Sequence, residues 1–441
     1  MILLSHPTGN AAVRHAALGL HRAGLLGEFW TGLHLPIPNW ANRWLPNGLS
    51  QDLQRRSFPE ELRKKIRSHP WREATRLLAG RFGLGGLTHP NGGSCSLDAV
   101  HHSLDRQVAR RLSESRFTGV YAYEQGAEHA FRTAREFNQL AIYEQTSGHW
   151  KCLQRILDQE AQEQPEWAAT LGARPEASAL TERLDTELSL AHVVIVPTAF
   201  IKRTLEQSSV MRARVAVIPH GITPPVPAGA WPERSPFQEH GRLRVLYVGA
   251  LSQRKGIRYL FDAVAALGGS AELTLASRRA NSGCAALDQH VSRCRQVAVH
   301  CQADVVRQML RHDVLVCPSL FDPTSPEIAL ALAVGLPVIA TPHTSGPDYL
   351  TDGVEGFIVP VRSATAIAEK LTLLHEQPDR LIEMGRAGKV RAGDTPWQRY
   401  EQTVATRVNE GMALAGHGTS ASFSPPLPIP PLPGVFPRER A

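Results

Sequence analysis

Residues 243–256, LRVLYVGALSQRKG, decide how this chain is read. The run 243–248 is aliphatic and β-branched, of the length of a buried parallel strand. Gly249 breaks it, and 251–254 lead into Lys255, Gly256 and the amphipathic run IRYLFDAVAAL. A strand that ends at a glycine turn and feeds a helix leaves unpaired backbone N–H groups at the helix start, which form a natural anion site. Arg254 and Lys255 place two cationic side chains at the same point, so the chemistry suits a phosphate or diphosphate better than a neutral ligand. Taken alone, the stretch is equally compatible with a solvated basic turn.

Further along, residues 314–342, VLVCPSLFDPTSPEIALALAVGLPVIATP, read as strand, loop, helix, Gly-Leu-Pro turn and strand, followed by Gly346, Asp352-Gly353 and EGFIVP at 355–360. With the first stretch, these motifs resemble the group 1 (family 4) glycosyltransferases, retaining nucleotide-sugar enzymes of the GT-B fold. The resemblance implies an α/β chain with two Rossmann-like doubly wound domains facing across a cleft. It implies a hexosyltransferase that takes a nucleotide-sugar as co-substrate, with no other cofactor and no metal. Lys255 and Arg254 would stabilise the leaving phosphate, Asp322 would meet the donor sugar, and Gly249, Ser319 and Glu327 would line the donor site. This chain departs from the family twice. Ala250 stands where an arginine usually follows the glycine. The family's two glutamates, eight positions apart, fall on Asp322 and Leu330 when aligned on Pro318-Ser319 and Gly335-Leu336-Pro337. Glu327, three residues before Leu330 on the same predicted helix, is the expected substitute carboxylate.

The remainder is bounded by composition. With 441 residues, 42% of them hydrophobic, the chain can bury a core in each of two or three domains. Its apolar runs are strand-length and MILLSHPTGN lacks a basic n-region, so a cytoplasmic enzyme is expected. The six cysteines show no C-x-x-C pair, and most read as buried thiols. A net charge of +7 does not identify a partner. Its basic residues are scattered without a nucleic-acid reading motif, and anionic lipid headgroups or a lipid-linked acceptor explain the sign equally well.

In the first half, residues 1–5 read as a strand, His6-Pro7-Thr8-Gly9-Asn10 as a turn, and 11–22 as a helix. In the resembled fold this loop faces the cleft, so Gly9 and Asn10 are donor-side candidates. Proline breaks the chain at Pro36, Pro38 and Pro46, 60–81 reads as a basic helical stretch that could lie on a membrane surface, and 84–93 as a glycine-rich loop. GVYAY and LAIYEQ read as strands that place Glu124, Glu144 and the loop residue His149 at carboxyl ends of a parallel sheet. Open α/β folds bind their ligands there, so Glu124 and Glu144 are acceptor-side candidates and His149 a catalytic one. The domain reading is therefore 1–223, a proline-rich linker 224–240, a second domain 241–394, a terminal helix 395–412 packing back toward the first domain, and a proline-rich disordered tail 413–441. Family context suggests transfer to a glycan or lipid-linked acceptor in bacterial polysaccharide or glycolipid synthesis, with peripheral contact at the inner membrane face. The alternative is a catalytically weak relative that binds nucleotide or glycan as a partner protein.

Overall fold

The computed structural model describes residues 1–34, 56–81, 85–89, 93–114, 117–173, 175–176, 178–224, 241–277 and 283–417. The prolines at 36, 38 and 46, nearly all of the 224–240 linker and the tail from 418 lie outside the described residues. Two all-parallel sheets organise the rest. The first has seven strands in the order β3-β2-β1-β4-β5-β6-β7 and the second six in the order β10-β9-β8-β11-β12-β13. The first comprises β1 (Ile2–Ser5), β2 (Leu26–Thr31), β3 (Ile66–Ser68), β4 (Gly119–Tyr123), β5 (Leu140–Glu144), β6 (Val193–Val196) and β7 (Arg214–Val217). The second comprises β8 (Leu243–Val248), β9 (Ala271–Ser277), β10 (Arg295–Ala298), β11 (Val314–Cys317), β12 (Val338–Ala340) and β13 (Gly356–Ile358). Strands β1, β4, β6 and β11 are buried at every residue, as expected where helices cover both faces of a parallel sheet.

Strand order reverses between β1 and β4 in one sheet and between β8 and β11 in the other. A crevice opens at the carboxyl ends of strands at such a point. The loops that leave these four strands are the His6–Asn10 turn, the Glu124 turn, the Gly249–Lys255 turn and the Pro318–Asp322 loop, the segments that the sequence singles out.

The first half differs from its reading in three places. Residues 60–81 do not form one helix: a 3-10 turn, Glu60–Leu62, precedes β3, and a helix, Trp71–Arg81, starts after Pro70. Proline cannot sit inside a helix, and buried Ile66 pairs in register with Phe29 of β2. β2 itself is masked in the sequence by Glu28, a charge within an apolar run. Arg111, on the helix Leu97–Glu114, balances it at 2.8 Å. Within 84–93, residues Gly85–Thr88 form a short helix.

The halves are welded at two places. Cys152, Ile156, Trp167 and Phe200 belong to the same apolar cluster as Val245, Tyr247 and Leu260 of the second sheet and its covering helix. At its centre Glu160, on the helix Trp150–Glu163, is fully buried and accepts hydrogen bonds from Gln253 Nε2 at 2.6 Å, Tyr259 OH at 2.9 Å and Arg362 Nε at 2.7 Å. Glu160→Ala leaves three donors without an acceptor and is expected to destabilise the protein by about 3 kcal/mol, with Glu160→Gln costing less. Denaturant unfolding of the two variants against wild type measures both.

The second weld is the terminal helix Trp397–His417, which crosses back onto the first sheet. Tyr400, Val404 and Val408 join the cluster around β1, and each fully buried side chain contributes about 2 kcal/mol. Gly19 permits the contact, because a Cβ there would lie 2.4 Å from the Glu401 carbonyl oxygen. The helix runs five residues beyond 412 and no helix among the described residues is long and apolar enough to cross a membrane.

Candidate functional site

β8 ends at Gly249, whose φ of +133° favours glycine. A Cβ there would also stand 2.9 Å from Lys255 Nζ, so the missing side chain makes room for the ammonium. Ser252 starts a single 3-10 turn over Gln253–Lys255, and Gly256, at φ +69°, joins it to the helix Ile257–Ala266. That turn is braced from the first half of the chain. Ser252 Oγ donates to the Thr170 carbonyl at 2.6 Å, Gln253 N–H donates to Thr170 Oγ1 at 3.0 Å, and Gln253 Nε2 donates to Glu160. Gln253, Thr170 and Glu160 are thus positioning residues for the basic turn. A single sequence offers no signal for them, since the partners lie more than eighty residues apart.

Lys255 is the focus of the charge pattern. Its Nζ lies 2.9 Å from Glu327 Oε1 and 3.0 Å from Asp322 Oδ2. Burial alone would lower the lysine pKa, but the two carboxylates outweigh it and the pKa is raised. Glu327 is pushed above the usual carboxylate range, first by burial and then by the charge of Asp322, with Lys255 pulling the other way. Asp322 is further held by Ser325 Oγ at 2.9 Å. The Arg254 carbonyl accepts from the N–H groups of Leu320 and Phe321, which ties the basic turn to the Pro318–Asp322 loop. Ser319 is buried and its carbonyl accepts from Thr341 Oγ1 at 2.6 Å, so it shapes that loop from behind.

Two cavities lie at the junction of the two sheets, and a third adjoins them within the first half. One, of about 310 Å³, is lined by Arg254, Asp322, Phe321, Thr146, His149 and Asp185, among others. His149 caps the helix Trp150–Glu163 by accepting from Lys151 N–H through Nδ1, which leaves the proton on Nε2, 3.3 Å from Asp185 Oδ1. Burial lowers the His149 pKa, so the ring is neutral at neutral pH. The second cavity, of about 820 Å³, shares Thr146 and Thr324 with the first and includes Asn10, His220, Leu330 and Trp397. The third, of about 590 Å³, adjoins the second at Asn10 and Ala11 and holds Gly9.

The sequence-derived candidates therefore separate. Lys255, Asp322, Glu327, Gly249, Arg254 and His149 come together at one end of the junction, and Gly9 and Asn10 stand at the other. Glu124 and Glu144 do lie at strand carboxyl ends, but their charges are committed internally. Glu124 accepts from the N–H groups of Thr146 and Ser147 and from both hydroxyls, clamping that loop. Glu144 is buried, accepting from Tyr121 OH at 2.5 Å and from Tyr400 OH at 3.0 Å, so it anchors the terminal helix. Neither lines the cavities described above.

Residues 242–377 match the Glycosyl transferases group 1 family. The match covers most of the second sheet and its helices and none of the first half of the chain. Among curated relatives, the amylovoran biosynthesis glycosyltransferase AmsK of Erwinia amylovora is 30% identical over 165 residues, 34% of this chain and 40% of that protein. The α-maltose-1-phosphate synthase of Mycolicibacterium smegmatis is 28% identical over 202 residues, 40% of this chain and 52% of that protein. The chain thus spans about half or less of the curated relatives it matches. Among solved structures, the sucrose-phosphate synthase of Thermosynechococcus elongatus superposes with a TM-score of 0.61 at 16% identity, covering 93% of this chain and 99% of the other. Anabaena Alr3699/HepE, solved in complex with UDP, gives a TM-score of 0.55 at 15% identity with the same coverages. At that level of identity the likeness shows the fold, which is GT-B, with two Rossmann-like domains.

Within residues 242–377 the two departures have structural consequences. Ala250 is exposed, and its carbonyl accepts from Tyr247 OH at 2.5 Å. Leu330 forms part of the wall of the 820 Å³ cavity beside Ala329 and Pro326. Glu327 does not take its place there. Three helical residues advance the side-chain direction by about 300°, and that offset turns Glu327 inward to Lys255 while Leu330 faces the cavity.

Proposed function

We propose that this protein transfers a hexose from a nucleotide-sugar to a glycan or lipid-linked acceptor, with retention at the anomeric carbon. The observation that carries the reading is Lys255, held by Asp322 and Glu327 at the carboxyl end of β8, where the topological switch point opens. In this reading Lys255 and Arg254 stabilise the departing diphosphate, Asp322 meets hydroxyls of the donor sugar, and neutral His149 meets the sugar from the opposite domain. Fixed cations aimed at a leaving phosphate cost little reorganisation at the moment of reaction, which is why they dominate such a barrier. HepE was solved with UDP-glucose, which supports a nucleotide-sugar donor here, and the amylovoran relative supports a role in bacterial polysaccharide synthesis. Peripheral membrane contact has support in the helix Trp71–Arg81. Its Trp71 and Leu78 are 77% and 55% exposed, and the exposed cations Arg63, Lys64 and Arg67 precede it.

The test is nucleotide release from UDP-, GDP- and ADP-sugars, with and without membrane extract as acceptor source. Release confined to one donor, and increased by the extract, is the expected result. The apolar Leu330 wall favours a second reading, a nucleotide- or glycan-binding partner protein with weak catalysis. Saturable nucleotide binding without release from any donor would establish it instead.

A further inference from the structure

We infer that Gln145 and His149 together read one hydroxyl group of the transferred sugar, and that this pair selects a hexose bearing that hydroxyl in the 310 Å³ cavity. Both residues line the cavity and both are buried, at 5% and 4% exposure. Gln145 Oε1 and His149 Nε2 nevertheless lack a hydrogen-bond partner among the described residues. Asp185 Oδ1 stands 3.3 Å from Nε2, but outside hydrogen-bond geometry. A buried polar atom without a partner carries its desolvation cost uncompensated, so two of them on one cavity wall call for a ligand that completes both.

The polarity of the pair narrows the ligand. His149 Nδ1 accepts from Lys151 N–H, which fixes the ring proton on Nε2 and makes that nitrogen a donor, whereas Gln145 Oε1 is an acceptor. A hydroxyl group accepts from the one and donates to the other. A carboxylate accepts from Nε2–H but brings no proton for Oε1, and a deoxy position serves neither. Asp185, anchored by Trp150 Nε1–H at 2.9 Å, lines the same cavity and offers an acceptor to a neighbouring hydroxyl.

The pair is held in place from both sides. Gln145 directly follows β5, and its N–H donates to the Ile195 carbonyl of β6 at 2.9 Å. His149 N–H donates to Thr204 Oγ1 at 3.0 Å. Between them Gly148 seats the loop against the second half, since a Cβ there would stand 2.5 Å from the Phe321 ring. Groups fixed before the ligand arrives bind it without a further ordering cost. Arg254 and Asp322 line the same cavity from the second half, and its volume is at the small end for ligand sites. A diphosphate at Arg254 therefore leaves room for a single monosaccharide ring against Gln145 and His149. That this sugar is the one transferred rests on the transferase reading, whereas the hydroxyl site itself does not.

Calorimetric titration of the full chain with UDP-, GDP- and ADP-linked glucose, galactose and mannose, and with UDP, GDP and ADP, tests the inference. The ratio of the two affinities for one base isolates what the sugar adds. In wild type at least one sugar is expected to tighten binding over its free diphosphate. Gln145→Met, close in size but without the acceptor, is expected to weaken that nucleotide-sugar at least fivefold and to leave the diphosphate unchanged. The 2-, 3-, 4- and 6-deoxy forms of the same sugar complete the cycle. One of them should bind wild type as weakly as the parent binds the variant, with no further loss in the variant. Because the substitution removes a buried unpaired oxygen, the melting temperature of Gln145→Met should equal or exceed that of wild type. A lower melting temperature means that Gln145 is already paired in the free protein and overturns the inference. So does an unchanged sugar ratio, an equal loss of diphosphate binding, a further loss with every deoxy form, or no sugar-dependent binding by wild type at millimolar concentration. Nucleotide release by wild type is scored separately. Gln145-dependent sugar binding without release sinks only the transferase reading, and release with sugar binding independent of Gln145 sinks only this site.

Discussion

Lys255→Ala is expected to lower nucleotide release at least a hundredfold, equivalent to about 3 kcal/mol of transition-state stabilisation. The lysine is the cation that the fold goes furthest to place: Gly249 clears space for it, Gln253 and Ser252 fix its turn, and two carboxylates hold its Nζ within 3.0 Å. The same contacts give the variant a pH signature. Glu327 already has a raised pKa from burial and from Asp322, and removing Lys255 takes away the group that pulls it down. A carboxyl whose folded pKa exceeds its unfolded value adds stability below the unfolded value and loses it as pH rises through the folded one. The lysine's own raised pKa keeps its contribution to wild type constant across neutral pH. The gap in melting temperature between wild type and variant should therefore widen as pH rises above the ordinary carboxylate range. A constant gap would mean that Lys255 does not hold the Glu327 charge. Release that survives in the variant would move the leaving-group role to Arg254.

The features legible in the sequence were local ones. A strand, its glycine and the basic turn after it occupy fourteen consecutive residues, so the reading of 243–256 needs no information from elsewhere. The same holds for the strand and helix rhythm of the second sheet, where every strand pair except β8–β11 joins sequential neighbours. The failures are long-range. Glu28 hides β2 because its counter-charge Arg111 is eighty-three residues away, and Glu144 looks like a cleft carboxylate until Tyr400, 256 residues on, claims it. Likewise Arg14, Arg56 and Arg76 are unremarkable singly and meet only once the helix Trp71–Arg81 docks beside the turn at Gly9. Glu327 and Leu330, three positions apart on one helix, are close in space but differ in direction, one meeting Lys255 and the other lining the 820 Å³ cavity.

Gly256→Ala should produce the largest loss of stability of any single methyl added at the site. At φ +69° an L residue carries about 1 kcal/mol of strain, and the new Cβ would stand 2.0 Å from the Pro318 carbonyl oxygen. That oxygen is backbone at the end of β11, so no rotamer change relieves the clash. Either the basic turn or the Pro318–Asp322 loop must move, and their connection through the Arg254 carbonyl makes separate movement costly. A total of about 4 kcal/mol is expected, with donor affinity falling as Lys255 and Asp322 part. Gly268→Ala supplies the control. Its φ is +58°, but nothing lies within 4 Å of the added Cβ, so it should cost the backbone strain alone. Chemical denaturation of both variants isolates the steric contribution as their difference. A difference under about 1 kcal/mol would show that the two loops separate easily, and that the close approach of the turn to Pro318 is not what holds Lys255 against its carboxylates.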